Sequence, residues 1–285
     1  MGHKKERQKV SIQKGQKSYH PLLCFVAETR ECLHSWFRTG SAYTGNGAPE
    51  FIRECFSRLP KRVWKVFVRA DSGFFNGEFI DVLEEKMSEY LIKVKMRNFT
   101  KLLMQQKWQK VKNQKGIEST EFEYKCEGWK RDRRFVAIRK LVESSTTVET
   151  LFPLPQYEFF GYVTNLKISP FQVHKCYGKR STSENWIQWC KNQMASGTIR
   201  TPDFWANSAI FQTSILAYNL MVWMIWVNTK ISFHEEQNTI RAWLIHVPEK
   251  LISRARQLIL TLSEDYVFKE RWQEIEDSIS NLKFA

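Results

Sequence analysis

Four side chains that could take part in catalysis or ligand binding recur at helical spacing late in the chain. They occupy offsets 0, 3, 7 and 14 of the run YGKRSTSENWIQWCK and are Tyr177, Arg180, Glu184 and Lys191. At about 100° per residue, a continuous helix would bring all four into a stripe roughly 60° wide. A helix face that carries a carboxylate, two cations and a phenol is too polar to pack into a protein core. The pattern favours a metal-binding acid beside a row of phosphate-binding side chains.

A second acid, Asp71, directly follows an apolar segment. Residues 62–70 (RVWKVFVRA) are rich in valine and aromatic residues, and they predict a buried strand. An acid at the carboxyl end of a central strand is a common place for a catalytic group in α/β proteins. The competing interpretation is an aspartate that caps a helix or turn. If Asp71 and Glu184 share a two-metal site, their carboxylates are expected within roughly 10 Å of each other.

The remaining pattern predicts the elements that must position these acids. Early in the chain we expect a strand pair over 19–26 and 33–37, helices over about 49–58 and 77–90, and a strand over 91–97. Later we expect a helix from about 171 through Lys191, a long apolar helix over 204–228, a hairpin over 240–262 and a closing helix over 265–282.

Between these parts lies a segment of short strand-like runs with many basic residues. The runs cover 108–111, 121–124, 135–138 and 157–164, and residues 91–140 carry 15 basic against 5 acidic side chains. A basic sheet with exposed Trp108 and Trp129 would bind nucleic acid by phosphate neutralisation and base stacking. An ordinary solvated charged surface is the alternative.

Composition supports a soluble, polyanion-binding protein. Of 285 residues, 42% are hydrophobic and 26% charged, which is typical of a globular chain. The 44 basic and 30 acidic residues give a net charge of +14, which favours nucleic acid over membrane as a partner. Six cysteines without C-x2-C or histidine spacing argue against zinc and for reduced thiols. Residues 3–17 are polar and basic, so we expect no signal peptide and a cytoplasmic location.

One stretch raises the alternative of a membrane span. Residues 209–228 carry no charge and are long enough to cross a bilayer. Polar residues within the stretch, such as Gln212 and Asn219, favour a helix packed inside a protein instead. We therefore expect no membrane partner.

The spacing Y-x2-R-x3-E-x6-K resembles the signature of bacterial insertion-sequence transposases with an RNase H-like DDE catalytic domain. All four positions match, and the segments RADSGF (69–74), VTNL (163–166) and AYNL (217–220) resemble the same group. The resemblance covers about residues 15–280. It implies an α/β fold with an RNase H-like mixed sheet flanked by helices and a β-rich insertion before the Glu-bearing helix. The implied parts are 1–98 and 169–285 for the core and 99–168 for the insertion.

The resemblance also implies roles for the residues named above. Asp71 and Glu184 would be the second and third catalytic acids and would bind two Mg²⁺ ions, while Tyr177, Arg180 and Lys191 would contact DNA phosphates. The implied reaction is nicking at the element end followed by strand transfer. The implied partners are transposon-end DNA and a second subunit, in a homodimer or a mixed oligomer with a full-length transposase. The expected location is the bacterial nucleoid.

The sequence departs from this group at the first catalytic acid. In the group that aspartate lies on a first strand, ahead of the segment that corresponds to residues 18–28, whereas no aspartate precedes Asp71 here. The spacing of Glu6 and Glu28 gives no support for a substitute. We therefore expect an N-terminally truncated transposase that is inactive or impaired.

Three alternatives stay open on the sequence. The first is a non-catalytic DNA-binding remnant or a regulator of transposition. The second is a membrane protein spanned by residues 209–228. The third is a basic helical protein in which the four-residue match is accidental.

Overall fold

A computed structural model describes residues 19–142, 156–192, 201–227 and 237–282. Within those ranges the chain forms ten strands and eight helices. The strands are β1 (Leu22–Phe25), β2 (Cys32–Trp36), β3 (Phe67–Ala70), β4 (Glu89–Lys93), β5 (Gln109–Lys110), β6 (Ile117–Tyr124), β7 (Arg133–Val142), β8 (Gln156–Thr164), β9 (Glu249–Arg254) and β10 (Gln257–Leu262). The helices are α1 (Ala48–Arg58), α2 (Gly77–Glu85), α3 (Met96–Met104), α4 (Pro170–Gly178), α5 (Ser181–Asn192), α6 (Phe204–Val227), α7 (Gln237–Leu244) and α8 (Lys269–Ser280).

The chain divides into two compact units. The sheet unit contains residues 19–22 and Arg38–Glu184, and the helical unit contains Leu23–Phe37 with the described part of Asn185–Ala285. The boundaries fall within β1 and within α5. The predicted boundaries at residues 98 and 168 stay a prediction. Strands β5–β8, which lie inside the predicted insertion, belong to the same sheet as β3 and β4.

A six-stranded mixed sheet forms the sheet unit. Its order is β3-β4-β8-β7-β6-β5, with β3 parallel to β4 and the other neighbours antiparallel. Leu91, Val136 and Tyr162 come from three adjacent strands and pack with Val173 of α4. Each such buried side chain stabilises the fold by about 1.5–3 kcal/mol. The predicted mixed α/β class is confirmed.

The helical unit is built around α6. Phe211, Tyr218 and Val222 of this helix pack against the β1–β2 hairpin and α5. The Asn219 side chain pairs with the backbone of Cys32 on β2, accepting its N–H at 2.8 Å and donating to its oxygen at 2.9 Å. Within the described ranges, α6 is the helix long and apolar enough to cross a membrane, and a third of its most apolar window is buried.

The strand predicted as buried over residues 62–70 is shorter and lies at the edge of the sheet. β3 starts only at Phe67, and its side facing away from β4 has no strand neighbour among the residues that the structure describes. Trp64 is 91% exposed and Val63 is 44% exposed. Such apolar composition is typical of a parallel strand with neighbours on both sides. Because β3 has only one neighbour here, the prediction of burial was wrong.

The helix predicted to run on to Lys191 is broken. α4 ends at Gly178, the Arg180 N–H bonds to the Tyr177 oxygen at 2.8 Å in a turn, and α5 begins at Ser181. Glycine weakens a helix interior and is common just where helices end, which explains the position of the break. The four side chains therefore do not share one helical stripe.

Two helices occupy segments for which no helix was predicted. α3 begins inside the strand predicted over 91–97 and runs to Met104, and it buries Phe99 and Leu103 at the spacing i, i+4. α7 covers the start of the expected 240–262 hairpin and buries Ile240. The β1–β2 strand pair, α1 and α6 lie where the sequence predicted them, whereas the β9–β10 hairpin covers only residues 249–262 of the expected 240–262.

Candidate active site at Asp71 and Glu184

Asp71 lies directly after β3, in the turn that leads to α2. Its Oδ1 accepts a hydrogen bond from the Gly73 N–H at 2.8 Å and caps a short 3₁₀ turn over Ser72–Phe74. The capping role considered from the sequence is therefore correct. The side chain is 43% exposed, so a carboxylate oxygen stays accessible to a ligand from solvent.

Arg180 joins the two predicted acids. Its Nη2 lies 3.2 Å from Oδ2 of Asp71, and its Nη1 donates to Oε1 of Glu184 at 3.0 Å. Two oxygens held by two nitrogens of one planar guanidinium lie no farther apart than about 9 Å. That bound is within the separation expected for carboxylates of one metal site.

The loop that carries Asp71 is closely packed on both sides. A Cβ atom at Gly73 would lie 2.7 Å from Thr44 Cγ2 and 2.9 Å from Oδ1 of Asp71. A Cβ atom at Gly77, the first residue of α2, would lie 2.7 Å from the Trp129 ring. Only glycine fits at these two positions without displacing a neighbour. The Asp71 carboxylate is thus held by packing as well as by its hydrogen bonds.

Tyr177 packs into the core of the sheet unit. Its ring centroid lies 5.0 Å from that of Tyr162, and it borders the cluster that contains Leu91. Burial raises the pKa of the Tyr177 phenol, and the positive charge of Arg180 offsets only part of that rise. The phenol is therefore neutral at neutral pH, and its ring helps to fix the end of α4.

Glu184 and Lys191 are exposed residues of α5. Glu184 lies in the first turn with a side chain that is 66% exposed, and Lys191 lies in the last turn. The boundary between the units falls directly after Glu184. The structure therefore brings Asp71, Arg180 and Glu184 together within one unit, while Lys191 belongs to the other.

Comparison with known protein families identifies the arrangement. A family model described as the transposase DDE domain, group 1, matches residues 3–284, nearly the whole chain. The chain belongs to the DDE transposase family. No curated protein matches the chain. Family membership confirms the expected RNase H-like fold of this DDE transposase and implies that the protein acts on DNA.

DDE transposases typically use a divalent metal, and the acids of this chain fit that chemistry in part. Asp71 and Glu184 offer carboxylate oxygens, the ligands that Mg²⁺ takes, and they are the residues that would hold it. Within the described ranges, no group of three His, Cys, Asp or Glu side chains is placed to hold a metal. Asp71 and Glu184 supply two of the carboxylates that such a metal site would need.

The sheet of this transposase presents many cations to solvent. The exposed lysines and arginines of residues 91–140 are Lys95, Arg97, Lys101, Lys107, Lys110, Lys112, Lys115, Lys125, Lys130, Arg131 and Lys140. Four arginines and one lysine of the same segment pair with acids of the chain itself: Arg131 with Glu84, Arg133 with Asp81 and Glu84, Arg134 with Glu121, Arg139 with Glu118, and Lys130 with Asp81. The predicted basic surface exists, and it consists mainly of lysine.

The two tryptophans expected to be exposed are packed against their own chain. Trp108 donates its Nε1–H to the Leu103 oxygen at 3.1 Å, and the Arg139 guanidinium lies 4.7 Å from its ring centroid. Trp129 stacks on Phe135 at 5.8 Å and contacts Gly77. Both rings support the sheet, so the prediction that they are exposed was wrong.

Arg69 is a positioning residue that the sequence did not reveal as one. This residue of β3 donates from Nη1 to the Cys176 oxygen of α4 at 3.2 Å. The bond fixes the end of α4, and with it the turn that carries Arg180, beside the strand that precedes Asp71. The sequence signal that could have pointed to Arg69 is a cation two residues before an acid in an otherwise apolar strand.

Proposed function

We propose that this chain is an insertion-sequence transposase in which Asp71 and Glu184 serve DNA cleavage and strand transfer at element ends. The proposal rests mainly on one observation: Arg180 binds both carboxylates, although they come from distant parts of the sequence. An accidental sequence match would not require these three side chains to meet. Their convergence at the end of β3 supports a role for them in phosphodiester chemistry.

The roles that we assign follow from the chemistry of each side chain. Asp71 and Glu184 would hold Mg²⁺, which when bound stabilises the charge that develops on the phosphate. Arg180 and Lys191 would bind DNA phosphates, and Arg180 can do so with two parallel hydrogen bonds. The neutral, half-buried Tyr177 would offer a hydroxyl donor at the rim of the site.

We further propose that the chain is impaired in cleavage when it acts alone. Two carboxylates make a weak site for Mg²⁺, which gives up its water shell reluctantly, and Arg180 neutralises both of them. These observations also favour the second candidate function, a non-catalytic DNA-binding protein that occupies element ends. In either role the partners would be DNA and a second subunit, as a homodimer or a mixed oligomer with another transposase.

We also propose a cytoplasmic, nucleoid-associated location without a membrane partner. The contacts that Asn219 makes with β2 support it, because they use polar groups of α6 inside the protein. Fractionation after expression tests this proposal. Recovery of the chain only in the membrane fraction would contradict it.

A nicking assay on supercoiled plasmid that carries the element ends separates the two functions. Wild type, Asp71→Asn, Glu184→Gln and the control Glu123→Gln, an exposed acid of β6, are compared with Mg²⁺ or Mn²⁺. We expect all four to bind DNA, and any nicking by wild type to be lost in the two acid variants and kept in the control. Nicking that survives both acid substitutions would exclude the proposed site. Efficient cleavage by wild type would exclude the proposed impairment.

A further inference from the structure

A single arginine side chain binds the loop that connects β2 with α1. The Nε of Arg38 donates to the His20 oxygen at 3.1 Å, and its Nη1 donates to the oxygens of Tyr43 at 3.2 Å and of Asn46 at 2.5 Å. The last two oxygens belong to residues 39–47, which we call the β2–α1 loop. Arg38 therefore holds the backbone of this loop at two points.

Other hydrogen bonds hold the same loop. The Nδ1–H of His20 donates to the Ala42 oxygen at 2.6 Å, and the Asn46 N–H donates to the Tyr43 oxygen at 3.0 Å. The Tyr43 oxygen thus accepts hydrogen bonds from both Asn46 and Arg38. A loop whose backbone groups are bound in this way keeps one conformation better than a loop that is bonded only to water.

The β2–α1 loop packs against the turn that carries Asp71. Thr44 Cγ2 and Oδ1 of Asp71 lie 2.7 Å and 2.9 Å from the point that a Cβ atom of Gly73 would occupy. A Cβ atom at Gly45 would lie 3.7 Å from the Gly73 oxygen. Thr44 and Gly45 stand between the two carbonyl groups that Arg38 binds. Contacts therefore run without a break from Arg38 through the loop to the catalytic turn.

The surroundings of Arg38 are not those of a residue that mainly stabilises the fold. Burial lowers the pKa of its guanidinium, and no carboxylate within the described ranges offsets that effect. Its Nη2 is buried and has no hydrogen-bond partner among the described residues. A buried cation without a carboxylate and a buried donor without an acceptor both lower the free energy of unfolding. What Arg38 provides is therefore the position of the loop rather than a large gain in stability.

We propose that Arg38 is a positioning residue for the Asp71 carboxylate, because it holds the β2–α1 loop against the turn that carries this acid. The proposal rests on the proposed function, in which Asp71 and Glu184 bind a divalent metal ion. Without the guanidinium the loop backbone is released, and Thr44 no longer restrains the Asp71 turn. The carboxylate then occupies more orientations, and metal binding weakens because its ligand is no longer held in place beforehand.

Binding of Mn²⁺ to the full chain, measured by electron paramagnetic resonance, tests this role. We expect the affinity to fall about 10-fold in Arg38→Met, as is usual when a residue that orients a metal ligand is removed. Arg38→Lys should recover part of the loss, because an ammonium group can still donate to a loop oxygen. The matched control is Arg53→Met, which removes an equal charge from a half-exposed arginine of α1 that pairs with Glu85. It should bind Mn²⁺ as wild type does.

Two further measurements separate positioning from a general structural role. Thermal melting defines the temperatures at which Arg38→Met is fully folded, and Mn²⁺ binding is measured there. Fluorescence anisotropy with a random-sequence DNA duplex, without metal, measures DNA affinity in the same variant. Positioning predicts weaker Mn²⁺ binding by the folded protein with DNA affinity unchanged. A structural role predicts a lower melting temperature and wild-type Mn²⁺ affinity in the folded protein.

A second variant tests the same contact if Arg38→Met does not fold. Thr44→Gly keeps the arginine but removes the side chain that lies against Gly73. We expect it to weaken Mn²⁺ binding in the same direction. Its matched control is Ser41→Gly, a change at an exposed position of the same loop, which should leave Mn²⁺ affinity unchanged.

The possible failures are distinguishable. Wild-type Mn²⁺ affinity in folded Arg38→Met, or an equal loss in Arg38→Met and Arg53→Met, would overturn the positioning role and leave the proposed function intact. For Thr44→Gly, a loss no larger than that of Ser41→Gly would have the same meaning. A wild type that binds no Mn²⁺, or an Asp71→Asn variant that binds it as tightly as wild type, would refute the metal site itself and the positioning role with it.

Discussion

At the residue scale, Arg180 makes one contact that its spacing did not predict, the contact with Asp71. The family resemblance implied that this cation contacts DNA phosphates, whereas the structure shows its guanidinium bonded to Asp71 and Glu184. Spacing along a chain defines which side chains lie near each other on one helix. It does not define which way a long side chain turns once the helix is broken at Gly178. The spacing predicted that Arg180 lies beside Glu184, but it could not predict that the same guanidinium also reaches Asp71.

Gly73 tests how closely the Asp71 loop is packed. Gly73→Ala would place a Cβ atom 2.7 Å from Thr44 Cγ2 and 2.9 Å from Oδ1 of Asp71. We expect a loss of about 1–3 kcal/mol in the free energy of unfolding, measured by urea denaturation. Gly178→Ala is the matched control, because a Cβ atom there has no neighbour within 4 Å. Equal stability of the two variants would show that the loop is not tightly packed.

Arg133 is the buried cation of the sheet unit. Its side chain is 2% exposed and binds Asp81 at 2.5 Å and Glu84 at 2.9 Å. Arg133→Met leaves both carboxylates without this partner, so we expect a loss of about 3–5 kcal/mol. Arg131→Met removes a 62% exposed partner of Glu84 and should change the stability by less than about 1 kcal/mol.

The same residues determine part of the stability at low pH. Burial alone would raise the pKa of Asp81 and Glu84, but the hydrogen bonds from Arg133 and its neighbours outweigh it and hold both values below normal. The stability that they contribute is complete above their unfolded pKa values and is lost as the pH falls through the lower folded values. Urea midpoints between about pH 5 and 2 should fall less steeply in Arg133→Met than in wild type. An unchanged slope would contradict this account.

At the element scale, β3 shows that the composition of a segment predicts a strand more reliably than it predicts whether that strand is buried. The valines and aromatic residues of 62–70 correctly predicted a strand before Asp71. They also predicted burial, because such runs normally have neighbours on both sides. Whether a neighbour is present depends on another segment of polypeptide, which the composition of this one cannot reveal.

Trp64 tests whether the edge beside β3 is open to solvent. At 91% exposure its replacement by lysine removes almost no packing, so Trp64→Lys should change the free energy of unfolding by less than about 0.5 kcal/mol. The same variant should aggregate less, because a lysine beside an edge strand discourages strand addition. Light scattering and urea denaturation measure the two effects. A loss above about 2 kcal/mol would mean that the tryptophan is covered.

Helices α3 and α7 show the limit of short apolar patterns. The run before His246 could form a strand or a helix, because periodicity alone does not separate the two over so few residues. Contacts decide instead: Ile240 packs against Ile275 of α8. α3 left a usable signal, since Phe99 and Leu103 have helical spacing. Long elements such as α6 and β8 were predictable because their patterns extend over many residues.

At the scale of the whole molecule, the charge excess is distributed mainly as exposed lysine on the sheet unit. Lys110, Lys112 and Lys115 lie around β5 and are all exposed. If DNA contacts this surface, changing all three to glutamine should lower the slope of log affinity against log salt by about 2–3.

Lysines elsewhere on the chain provide the control for that measurement. The triple change of Lys61, Lys86 and Lys269 to glutamine has the same effect on net charge but affects separate, exposed positions. Fluorescence anisotropy at several salt concentrations gives both slopes. Equal changes in the two triple variants would indicate attraction by net charge alone, without a defined DNA surface.

Arg180 also acts as an internal counterion for Asp71 and Glu184. Because of that position, metal binding and DNA binding should be thermodynamically linked. A divalent ion that takes both carboxylates must expel the guanidinium, and a DNA phosphate is the natural acceptor for the displaced cation. Metal and DNA should therefore raise each other's affinity by the same factor. We expect Mn²⁺ to bind more tightly with a DNA end present, and Arg180→Gln to reduce that dependence. Metal affinity that is the same with and without DNA would show that the guanidinium does not connect the two ligands.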